Sequence, residues 1–150
     1  MKSFLLEQLA RLIVPISLLL GLALYLKGHD DPGGGFVAGL SLAVAGLLSV
    51  AAYGEDALRR WFYHLAPERI ALFGALAIVT SLLLPALFGH PLLTHIHGAI
   101  PLPGAAKLEW NTAMLFDAGV VMTVGGGLTA AGAWLWRSYA AARQATKAER

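Results

Sequence analysis

Four long apolar stretches, three free of charge and one carrying a single acid, constrain this chain more than any other feature. Leu12 to Leu26, Pro32 to Gly54 and Ile70 to Phe88 contain no charged side chain, and Thr112 to Trp136 contains only Asp117. A helix needs about 20 apolar residues to cross about 30 Å of hydrocarbon. The first stretch is short, but Arg11 and Lys27 at its ends can extend their charged tips to the interface. The composition agrees: 57% of the 150 residues are hydrophobic and 13% charged. A soluble domain is about 45–50% apolar and about 25% charged, so a water-soluble core of this length has no room for the excess. The expected fold is therefore an all-α integral membrane protein. It forms a single transmembrane domain over residues 1–150, with spans at 8–27, 33–53, 69–88 and 112–136. The first stretch is read as a span rather than a cleaved leader, because Lys27-Gly28-His29-Asp30-Asp31 follows it and no small-x-small site does.

Orientation follows from the basic residues. Four spans put both ends and the second connection on one side. That side holds Lys2, Arg11, Arg59, Arg60, Arg69, Arg137, Arg143, Lys147 and Arg150, against Lys27 and Lys107 on the other. Nine against two places both termini in the cytoplasm. The net charge of +2 thus reports topology and not a nucleic-acid footprint. In the inner connection, Leu58, Trp61, Phe62 and Leu65 recur at helical spacing, with Glu55–Arg59 and Asp56–Arg60 at i,i+4. They predict a short amphipathic helix, lying on the membrane or facing a neighbouring subunit. The outer connection from Gly89 to Asn111 is too apolar for a free linker. Its His95-Ile96-His97 alternation predicts a short extended segment.

Candidate site residues gather on the outer side. The corner Gly28-His29-Asp30-Asp31-Pro32-Gly33-Gly34-Gly35-Phe36 offers Asp31 as an N-cap and Pro32 as a first helical residue. Glycines in a first turn cost about 1 kcal/mol each, a cost that close backbone approach would offset. The small face continues through Gly39 and Ala43, and the fourth span has a ridge at Gly119, Thr123, Gly127 and Ala131. Such ridges predict tight helix packing; the competing reading is an unwound segment lining an ion path.

Asp117 is the only acid within a predicted span. Intramembrane carboxylates usually face a bundle interior or water. Nineteen uncharged residues follow it, so it is expected near the outer interface, as a cap or pairing partner, with an ion-path role as the alternative. His29 and His95 are further outer-face candidates. His95 and His97 share one face of an extended segment, but no acid or cysteine stands at ligand spacing, so no metal site is expected. Cysteine is absent, which removes disulfides and thiol chemistry. With no nucleophile–base pair, nucleotide motif or haem-ligand pair, no enzymatic activity and no cofactor are expected.

The glycine corner resembles the Gly-His-x-x-Pro-Gly-Gly-Gly-Phe corner of the MnhB/MrpB family, the B-type subunits of Mrp-type cation/proton antiporters. Pro91-Leu92-Leu93-Thr94-His95, followed by Thr112-Ala113-Met114-Leu115-Phe116-Asp117-Ala118-Gly119-Val120, is similar to the same family's second outer loop and last span. The resemblance implies an accessory, non-catalytic subunit of a multi-subunit Na+/H+ antiporter in a prokaryotic cell membrane. Its implied partners are the other antiporter subunits and the bilayer, with Na+ and H+ as the transported ions of the complex. Larger subunits carry the principal lysine and glutamate relays, and this chain has no lysine inside a span. Related subunits of the same type also occur in membrane-bound hydrogenases, which implies the alternative of a structural subunit in a ferredoxin-linked redox complex.

Overall fold

The computed structural model describes residues 4–27, 33–54, 66–91, 94, 97–101 and 107–148. Four helices carry the chain: α1 (Phe4–Leu26), α2 (Gly35–Tyr53), α3 (Pro67–Leu87) and α4 (Thr112–Ala148). All four are long and apolar enough to cross a membrane. The inner-connection helix expected around Leu58–Leu65 lies outside the described residues.

The helices pack in a spatial order that differs from chain order: α1 against α2, α2 against α4, and α4 against α3, with slight contact between α1 and α4. On α4 the reason is visible in its two working faces. Asp117, Val121 and Val124 meet glycines of α2, whereas Gly119, Thr123 and Gly126 meet α3. These sets project from nearly opposite sides of a 3.6-residue helix, so α4 separates its neighbours and the four helices form a row.

The seams are built from small residues. Ala10, Val14, Ala45 and Ala52 form a buried cluster where α1 meets α2. Between α3 and α4, a Cβ on Gly74 would lie 2.6 Å from the Gly119 carbonyl oxygen, and one on Gly119 would lie 2.8 Å from that of Gly74. In lipid, where burying apolar surface gains nothing, close backbone packing and interhelical hydrogen bonds hold helices together. Two such bonds join α1 to α2: the Ser41 hydroxyl donates to the Ser17 carbonyl (2.9 Å) and the Tyr53 hydroxyl to that of Glu7 (3.1 Å). The large aliphatic side chains face outward instead, Leu19 and Leu72 each 69% exposed. The exposed Thr80 hydroxyl bonds its own helix at the Leu76 carbonyl, 2.8 Å away, so it presents no unsatisfied donor to lipid.

The connection between α3 and α4 contains an antiparallel hairpin, β1 (His97–Pro101) with β2 (Lys107–Asn111), His97 opposite Asn111. The extended segment anticipated near His97 is thus one arm of a ribbon, and β2 runs directly into α4.

Candidate functional site

At one end of the helices, the glycine corner, the end of α1 and the start of α4 converge. The helix does not begin at Pro32. It begins at Gly35, and Gly34 is the N-cap, at φ 86° and ψ 175° with no side-chain cap bond. The expected cap at Asp31 is corrected accordingly. Gly34 occupies a backbone region that essentially only glycine adopts, which keeps Gly33 and Gly34 out of the helix. The turn places the Gly34 N–H 3.3 Å from the Leu24 carbonyl oxygen of α1. A Cβ on Gly33 would come within 3.0 Å of that same oxygen.

The other side of the corner rests on α4. A Cβ on Gly35 would lie 2.5 Å from the Asp117 carbonyl oxygen and 3.0 Å from its Cα, so backbone touches backbone. One turn further, Gly39 lies against Val121 and Val124. Asp117 sits in the second turn of α4 and is only 5% exposed. It lines a cleft of about 240 Å³ together with Gly33, Gly34, Gly35 and two aromatic rings, Phe36 and Phe116. The Tyr25 hydroxyl of α1 donates to the Met114 carbonyl in the first turn of α4 (3.3 Å). Three helices therefore meet within a turn of Asp117.

Of the residues singled out from sequence, the structure brings together Gly33, Gly34, Gly35, Phe36 and Asp117, with Gly39 one turn below. His29, Asp31, Pro32 and His95 lie outside the described residues. The two small ridges do not mate with each other: Gly35 and Gly39 pack on α4, whereas Gly119 and Thr123 pack on Gly74 of α3, and a Cβ on Gly127 would meet nothing within 4 Å. Sequence reasoning missed Tyr25 and Gly74, and gave Phe116 only as part of the family motif. Tyr25 had a readable signal, a polar-tipped ring at the end of an apolar run, and Gly74 a weaker one, small residues at Ala71, Gly74, Ala77 and Ser81 spaced by three or four. Among the described residues, no group of three or more His, Cys, Asp or Glu is placed to hold a metal.

Residues 5–130 match a family model described as the domain related to the MnhB subunit of the Na+/H+ antiporter. The chain belongs to the MnhB family. It is 37% identical over 128 residues to a Bacillus subtilis protein named as the B-type subunit of a Na(+)/H(+) antiporter, covering 83% of this chain and 87% of the relative. It is 32% identical over 123 residues to a Staphylococcus saprophyticus protein named, provisionally, antiporter subunit mnhB2, covering 81% and 85%. A Staphylococcus aureus protein of the same name matches at 30% over 122 residues, with the same coverage. The glycine corner and Asp117 both fall inside the matched region. As an MnhB-family chain with four membrane-crossing helices, it is a multi-pass membrane protein.

Proposed function

We propose that this chain is an accessory membrane subunit of a multi-subunit Na+/H+ antiporter, contributing assembly rather than the ion relay. The observation that carries the reading is the family match over residues 5–130, joined by relatives named as antiporter subunits over four-fifths of the chain. Those names favour the antiporter over the redox-complex alternative. The accessory role is supported by the chain itself, whose four apolar stretches (12–26, 32–54, 70–88 and 112–136) contain no lysine and one acid, a poor basis for an independent proton path.

Within that role, the joint of Gly33–Gly35 with Asp117 fixes α2 and α4 at one end. The amino end of α2 carries partial positive charge and has no side-chain cap of its own. Asp117, lining the cleft beside it, supplies the complementary charge across the helix interface. Purification through a tag on this chain is expected to recover the other antiporter subunits. Membranes lacking the chain are expected to lose sodium-dependent proton flux, while vesicles holding the chain alone show none. Robust antiport by the isolated chain would overturn the accessory role.

A further inference from the structure

We draw no further inference here: the strongest candidate, the cleft of about 240 Å³ where Gly33–Gly35 at the start of α2 meet Phe116, Asp117 and Val120 of α4, belongs to the joint already described, and nothing among the described residues shows what would fill it.

Discussion

At position 35 a single methyl group tests the joint between α2 and α4. The atoms it would meet at 2.5 and 3.0 Å are the carbonyl oxygen and Cα of Asp117, and backbone cannot rotate away as a side chain can. Gly35→Ala is expected to destabilise the chain by about 1–3 kcal/mol, the usual cost of overpacking, and Gly35→Leu to prevent accumulation. At Gly39 the nearest atom is a side-chain carbon of Val124 at 2.9 Å, so Gly39→Ala should be milder. The amount of tagged chain in membranes, and of complex recovered with it, ranks the three. Asp117→Asn separates charge from shape. As partner to the amino end of α2, Asn keeps the hydrogen-bonding capacity and loses up to about 2 kcal/mol of charge–dipole attraction, so assembly and sodium-dependent proton flux should persist. Loss of flux in a fully assembled Asp117→Asn complex would make this residue an ion carrier. Both residues stood out in the sequence, one as a glycine in a small-residue face and the other as a lone acid in an apolar stretch. Their contact was not, because 82 positions separate them and neither pattern specifies a partner.

Among elements, α3 depends most on a single neighbour, since its main contact is with α4. Its buried residues are Gly74, Ser81 and Pro85, a narrow stripe on a helix that otherwise shows Leu, Val and Phe to its surroundings. Gly119→Val on α4 would drive a branched side chain into the Gly74 carbonyl and Ile78, both at 2.8 Å from a bare Cβ. It is expected to release α3 and raise protease sensitivity around 66–91. Leu76→Ala, at a position 59% exposed, should leave that sensitivity unchanged. Equal sensitivity in the two variants would show that the glycine seam does not hold α3. Sequence alone identified the helices, because uncharged length is a strong signal, and it marked Gly119 and Thr123 as a packing ridge. It could not say that this ridge serves α3 while Gly35 and Gly39 serve α4, because small residues report closeness without naming what is close. The start of α2 was misplaced for a related reason. Asp31-Pro32 is a good local start signal, but the contacts of Gly33 and Gly34 with α1 favour a turn, and the helix waits until Gly35.

For the whole molecule, the row order gives α1 and α3 broad outward surfaces of large aliphatic residues, while the small residues lie at the seams. That distribution suits a chain surrounded by lipid and other spans, and the apolar excess in the composition already implied it. Orientation is the property that the fold leaves to electrostatics. With four crossings, residue 150 and the connection at 55–65 share one side and the hairpin region takes the other. Nine of the eleven Lys and Arg fall on the side of residue 150. The bias applies to short loops flanking spans, and every connection here is short. The Arg137–Glu68 contact places the start of α3 beside the exit of α4, so the basic residues of both are on one side. Because the chain contains no cysteine, single introduced thiols report position without a background from the chain itself. In intact cells a membrane-impermeant maleimide should label His97→Cys on the tagged chain, and should leave His64→Cys and Arg150→Cys unlabelled until the membrane is opened. Labelling of Arg150→Cys in intact cells would invert the topology.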